Sequence, residues 1–178
     1  MNPDTPESPS RRDFFRRFAR PVKDVTEVEL PESPFPRPPW ARVNAEFMAL
    51  CTHCNQCIEH CPQRVLRASD ESDDNLQKLP VLILEYGVCD FCGQCVDHCP
   101  SGALHREEGV KLQVIAQVND HCQRKYQPHC NLCVEACEAQ AITLTENRLI
   151  QVDANRCTGC GVCSLDCYIK AISLVKRS

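Results

Sequence analysis

Cys89-Asp90-Phe91-Cys92-Gly93-Gln94-Cys95-Val96-Asp97-His98-Cys99-Pro100 places cysteines at gaps of two, two and three residues and ends on a proline. Three thiolates at this spacing can wrap a loop around an iron–sulfur cubane and bind three of its irons. The fourth lies where the chain turns away, so it tends to reach a neighbouring cluster, and such runs come in pairs. Proline after the fourth cysteine fixes the backbone and removes a donor, which suits a turn leaving the site.

On either side of this run the unit recurs, four copies in all. Cys51, Cys54, Cys57 and Cys61 repeat the spacing and precede Pro62. Cys157, Cys160, Cys163 and Cys167 repeat it with Tyr168 in the proline position. Cys122, Cys130, Cys133 and Cys137 form the irregular member, with a first gap of seven residues and Glu138 in place of proline. Together these groups use all 16 cysteines. An internal repeat of this kind governs the reading of everything between its copies.

In a chain of 178 residues, 6% aromatic, a large apolar core is not expected. Halves of roughly 65 residues are marginal on hydrophobic burial alone, and metal–thiolate bonds can supply the missing stability. The net charge is −4 with neutral cysteines. Four oxidised cubanes, each with four thiolates, would take it to roughly −12, which disfavours nucleic acid as a partner. Disulfides are the rival use of so many cysteines, but they need an oxidising compartment. Ser10-Arg11-Arg12-Asp13-Phe14-Phe15 looks like a twin-arginine export motif, yet charged Arg16-Arg17-Phe18-Ala19-Arg20-Pro21-Val22-Lys23-Asp24 stands where an apolar core and cleavage site would be. The expectation is therefore a cytoplasmic protein, with no run long enough for stable membrane insertion.

Residues 1–42 read as an N-terminal arm, since nine of 13 prolines fall in the first forty residues. Ser10 can cap a short amphipathic helix, with Phe14, Phe15 and Phe18 on one face and Arg12, Arg16 and Arg20 on another. That helix could fold back on the body, dock a partner, or lie on a membrane surface. From Glu27 to Pro39 the chain reads as a proline-rich spacer. It closes on Arg37-Pro38-Pro39-Trp40, with Trp40 packed on the first cluster domain or kept for a partner. Residues 43–106 carry the first two cysteine runs. Glu46 to Leu50 is a short lead into Cys51, Ser69 to Asn75 an acidic loop, Leu79 to Leu84 a strand, and Ala103-Leu104-His105 the start of a return strand. Residues 107–178 carry the irregular and last runs. Val110, Leu112, Val114, Ala116 and Val118 alternate with Lys111, Gln113 and Gln117 as a half-buried strand. Ala141–Thr145 and Leu149–Val152 flank Glu146-Asn147-Arg148 as a hairpin, and Ala171–Val175 is a last strand. The predicted fold class is α+β: two tandem two-cluster ferredoxin-like units, small antiparallel sheets with short helices around [4Fe-4S] clusters, behind a Pro-rich arm.

If fourth cysteines cross over, the expected ligand sets are Cys51, Cys54, Cys57 with Cys99; Cys89, Cys92, Cys95 with Cys61; Cys157, Cys160, Cys163 with Cys137; and Cys122, Cys130, Cys133 with Cys167. Four [4Fe-4S] clusters result, or three if the Cys122–Cys137 group is empty. Zinc is the alternative, but it usually takes separate Cys-x-x-Cys pairs or adds histidine. In the irregular group His121 or His129 could replace a thiolate. His60 and His98, each just before a fourth cysteine, read as solvent-facing helix residues or as tuners of potential through bonds to sulfur. Lys170 and Lys176-Arg177 read as a solvated basic end. No hydrolytic nucleophile–base motif, phosphate loop or dinucleotide fingerprint is present, so the expectation is no catalysis by the chain alone.

Ser10-Arg11-Arg12 without an export core, Arg37-Pro38-Pro39-Trp40 before the first run, three regular runs and the irregular Cys122–Cys137 group together resemble the NapF-type ferredoxins encoded with periplasmic nitrate reductases. Residues 21–36 are longer and more acidic than that family's pattern. The resemblance implies a cytoplasmic accessory iron–sulfur protein. Its partner would be the precursor of the molybdenum-containing catalytic subunit NapA, engaged through the arm or the cluster domain. Its role would be to help that subunit acquire its cluster, or be reduced, before export. The other reading is an electron-transfer subunit of an anaerobic respiratory oxidoreductase.

Overall fold

Apolar runs and turn residues set the strands; two strand pairs close over short connections, and the third, 114–118 with 172–176, closes across two cysteine runs. The structure, a computed structural model, describes residues 35–178 except Asn75, Lys111 and Ser178. The N-terminal arm up to residue 34, with its expected helix, lies outside the described residues.

Helix α1, Asn44–Leu50, leads into the first run. Its Phe47 is fully buried, and the Cys51 amide donates to the Phe47 carbonyl at 2.9 Å. Strands β1, Leu66–Ala68, and β2, Pro80–Leu82, pair antiparallel with Leu66 opposite Leu82. Pro80 stands at the first position of its strand, where a missing N–H is tolerated. The predicted strand at Leu79–Leu84 is thus present but shorter. Its partner β1 gives no alternating signal, being three residues of mixed character. The return strand expected at Ala103-Leu104-His105 reduces to one bridge, Leu104 with Ala41.

Strands β3, Val114–Val118, and β6, Ile172–Lys176, pair antiparallel from Val114–Lys176 to Val118–Ile172. Val110 stays outside the ladder and is exposed. The predicted hairpin forms from β4, Ile142–Leu144, and β5, Ile150–Val152. Its turn uses Arg148 at φ 59°, whose amide bonds the Thr145 carbonyl at 2.8 Å. The described residues therefore form three two-stranded antiparallel ladders. Helices α2, Gln56–Glu59, α3, Gln94–Asp97, α4, Leu132–Glu135, and α5, Val162–Asp166, each carry the third cysteine of a run. At four or five residues they are too short to stand alone.

The buried apolar residues fall into two clusters. One holds Trp40, Phe47, Leu66, Leu79, Leu82, Leu84 and Leu104 and extends to Leu112 and Val114. The other is smaller in its side chains: Ala116, Ala141, Ile142, Cys157, Cys163 and Ile172. Trp40 is buried, as one of its two readings expects. The end of the proline-rich segment is packed into the body. The Leu82 amide donates to the Pro36 carbonyl at 2.8 Å, and the His105 amide to the Trp40 carbonyl at 2.8 Å. Prolines that cannot donate still accept, so this segment can cover strand edges.

Candidate metal centres

A loop that surrounds a metal must curl tightly, and the backbone does so at fixed places. In the three regular runs, the second and fourth residues after the first cysteine are left-handed. They are His53 and Asn55 (φ 55° and 62°), Phe91 and Gly93 (54° and 82°), and Gly159 and Gly161 (78° and 93°). A bulky residue such as Phe91 is uncommon in that region, which marks these loops as strained by their shape. A further left-handed residue stands three places after every fourth cysteine: Arg64, Gly102, Gln140 and Lys170. Amides of Arg64, Gln140 and Lys170 bond back to the carbonyls of Cys61, Cys137 and Cys167 at 3.1, 2.8 and 2.9 Å. The exit turn thus recurs behind Glu138 and Tyr168, without the proline.

These turns bring together the crossed sets that the spacing predicts. Cys51, Cys54, Cys57 and Cys99 line one cavity, and Cys61, Cys89, Cys92 and Cys95 another. Cys137, Cys157, Cys160 and Cys163 line a third. Cys122, Cys130, Cys133 and Cys167 line the fourth. The cavities are similar in size, about 350, 320, 330 and 400 Å³ including their mouths. All sixteen cysteines are free thiols. Four soft sulfur donors around an enclosed, mainly apolar space fit an iron–sulfur cubane. Neither His121 nor His129 lines the irregular cavity; both are exposed.

The thiols report the enclosure. Burial, then the neighbouring Cys51, Cys99 and Cys54, pushes Cys57 up to about 12. Cys95 and Cys163 are likewise pushed up to about 12, chiefly by burial and then by cysteines that include their own set. Cys89 and Cys133 rise to about 11, again chiefly through burial. At Cys99 burial pulls upward, but hydrogen bonds from Leu104, Ser101 and Gly102 outweigh it and the thiol is lowered. Backbone N–H groups point at three fourth-position sulfurs: Leu104 at Cys99 (3.5 Å), Ala141 at Cys137 (3.3 Å) and Ala171 at Cys167 (3.3 Å). Such donors stabilise thiolate charge and tune a bound cluster's potential.

The seven-residue gap is organised by Arg124, a residue that no sequence pattern singles out. It lies on a single 3₁₀ turn, Gln123–Lys125, and is buried at 6% exposure. Its Nε donates to the Arg148 carbonyl at 2.9 Å, and its Nη1 to the Cys130 carbonyl at 2.6 Å and to Asn131 Oδ1. The extra residues thus fold outward on a buried cation, and Cys122 still reaches the cavity. Tyr168, in the proline position, bonds back to this loop through Gln123 and Gln127. In the first half Arg37 stacks on the Phe47 ring at 5.3 Å, and its positive charge lies near Cys51.

His60 and His98, expected as solvent-facing helix residues or as tuners of potential, stack on each other, with ring centroids 3.8 Å apart and planes 13° from parallel. The Nδ1 atoms lie 2.9 Å from the carbonyls of Gln56 and Gln94, so each ring closes its own short helix. A signal for this pairing exists in the sequence: both occupy the same position in related runs.

Comparison with known proteins agrees with this geometry. Residues 50–111 and 128–171 match the 4Fe-4S dicluster domain. The ferredoxin-type protein NapF of Haemophilus influenzae is 31% identical over 144 residues, covering 78% of this chain and 77% of that protein. The methylamine utilization ferredoxin-type protein MauM of Methylobacillus flagellatus is 28% identical over 198 residues, 96% of this chain and 84% of that protein. An uncharacterized protein of Haemophilus influenzae is 34% identical over 165 residues, 93% of this chain and 90% of its own length. No helix among the described residues is long and apolar enough to cross a membrane. With iron–sulfur spacing, sulfur-lined cavities and these relatives in agreement, the chain belongs to the 4Fe-4S dicluster family and, within it, to the NapF-type ferredoxins, which are iron–sulfur electron-transfer proteins.

Proposed function

We propose that this chain is a cytoplasmic maturation factor for the catalytic subunit of periplasmic nitrate reductase, NapA, assisting cluster loading or reduction before export. The observation that carries the reading is the 31% identity to NapF over 78% of the chain. In this reading the two halves are tandem two-cluster units holding four [4Fe-4S] clusters on all sixteen cysteines. A bound cubane accepts and returns one electron. The residues do the rest. The left-handed loops curl the cysteine runs around each cavity, and N–H donors reach the sulfurs of Cys99, Cys137 and Cys167. Cys54 and Cys92 are exposed, which leaves the first two sets accessible to a partner at one sulfur each.

The test has two parts. An anaerobic preparation should contain about sixteen irons per chain; about twelve would leave one set empty. Unexported apo-NapA should be retained by the full-length chain and held less well by a chain lacking residues 1–20. Failure of both chains to retain it would sink the maturation reading. The second reading is plain electron transfer within an oxidoreductase, favoured by the likeness to MauM over 96% of the chain. It expects rapid reduction by a donor enzyme and normal loading of the catalytic subunit when this protein is missing.

A further inference from the structure

Spacing alone makes two pairs of cysteine sets, one in each half, and does not say that the pairs meet. In the fold they do. The amide of Cys89, in the second set, donates to the carbonyl of Cys160, in the third, at 2.9 Å. Next to it, a Cβ on Gly161 would stand 3.3 Å from the Cβ of Leu84 and 3.5 Å from the carbonyl oxygen of Gly87. The Leu112 amide donates to the Thr158 carbonyl at 3.1 Å, and Leu112 is buried in the same apolar cluster as Leu82 and Leu84. The loop that carries Cys157 and Cys160 is therefore seated on the segment entering Cys89.

We infer that the four cysteine sets form one continuous array, with the hydrogen-bonded residues Cys89 and Cys160 as the junction between its halves. The inference rests on the reading that all four sets bind clusters. Within each half, crossing of the fourth cysteines already ties the sets together: Cys61 and Cys99 in one, Cys137 and Cys167 in the other. Between halves, one connection runs from one ligand residue to another through a single backbone hydrogen bond. One electron moving across it is lost by one set's irons and gained by the next, with no bond made or broken. A chain joined in this way conducts from end to end, with the Cys51 and Cys122 sets outermost.

Electron paramagnetic resonance of the anaerobically prepared full-length chain tests the junction. A variant with Cys54→Ala, Cys57→Ala, Cys130→Ala and Cys133→Ala removes the outer sets and should keep about eight irons. Its fully reduced spectrum should be broader and faster-relaxing than the sum of spectra from chains keeping only the second or only the third set. Eight irons with a spectrum equal to that sum would overturn the junction. Should that variant not fold, paired deletions decide. Removing the second set through Cys92→Ala and Cys95→Ala should slow relaxation of the third set's signal, and removing the first through Cys54→Ala and Cys57→Ala should not. Equal relaxation in both would overturn the inference. Iron missing from the second or third set of the unaltered chain would instead defeat the four-cluster reading, and the junction with it.

Discussion

Arg124 and Arg106 are both arginines with several acceptors, and burial separates them. Arg124 is 6% exposed and bonds two oxygens of its own loop and the Arg148 carbonyl of the β4–β5 turn. Arg124→Leu removes the donor from those oxygens and should cost about 3 kcal/mol, since charged hydrogen bonds contribute about 1.5–3 kcal/mol each. The measurable result is loss of about four irons, with the remaining sets filled. Arg106 grips both oxygens of Asp97 at 2.6–3.0 Å, but the two side chains are 56% and 45% exposed. Arg106→Gln should therefore change stability by no more than about 1 kcal/mol in a urea titration. The cysteines give a pH dependence. Cys57, Cys95 and Cys163 stand near 12 against an ordinary 9.0. A thiol raised by folding favours the metal-free fold fully below pH 9 and loses that contribution as pH climbs towards 12. Circular dichroism of iron-free chain should show order declining across that window. Iron needs the thiolates, so chelators should strip it faster as pH falls; a flat response in both experiments would contradict the burial assigned to these sulfurs.

At the level of elements, the cysteine loops are fixed by backbone shape more than by helix or strand propensity. Gly159 and Gly102 are both left-handed, at φ 78° and 70°. A Cβ on Gly159 would lie 2.6 Å from the carbonyl oxygen of Val114, which belongs to β3, whereas a Cβ on Gly102 meets nothing within 4 Å. Gly102→Ala should cost only the backbone preference, about 1 kcal/mol. Gly159→Ala must also displace β3, and it should lower the iron count, whereas Gly102→Ala should leave that count unchanged. The strands at 80–82, 114–118 and 172–176 and the hairpin were legible because alternation or turn residues mark them. Strand β1 and helix α1 were not. Leu66-Arg67-Ala68 is held by pairing with β2, and Asn44–Leu50 by burial of Phe47, contacts that local pattern does not record.

Across the whole molecule, the two apolar clusters differ in what they can hold without metal. Phe47, Leu66, Leu79 and Leu82 are almost wholly enclosed in the first, while the second consists of alanines, isoleucines and cysteines. Iron removal should therefore open the second cluster first. Hydrogen exchange should quicken in β4, β5 and the cysteine helices α4 and α5 while β1 and β2 keep protection; uniform loss would show that metal supports both equally. Residue order alone was enough to specify the cluster type and the crossed grouping of thiols, because ligand spacing is a property of neighbouring residues and one short loop suffices to express it. Long-range packing was needed to turn the long gap away from its cavity on Arg124, to stack His60 on His98, to close the Pro36–Trp40 segment over the first half, and to bring Cys89 to Cys160. Each of these depends on residues distant in the chain arriving at one place, and no local pattern encodes that arrival.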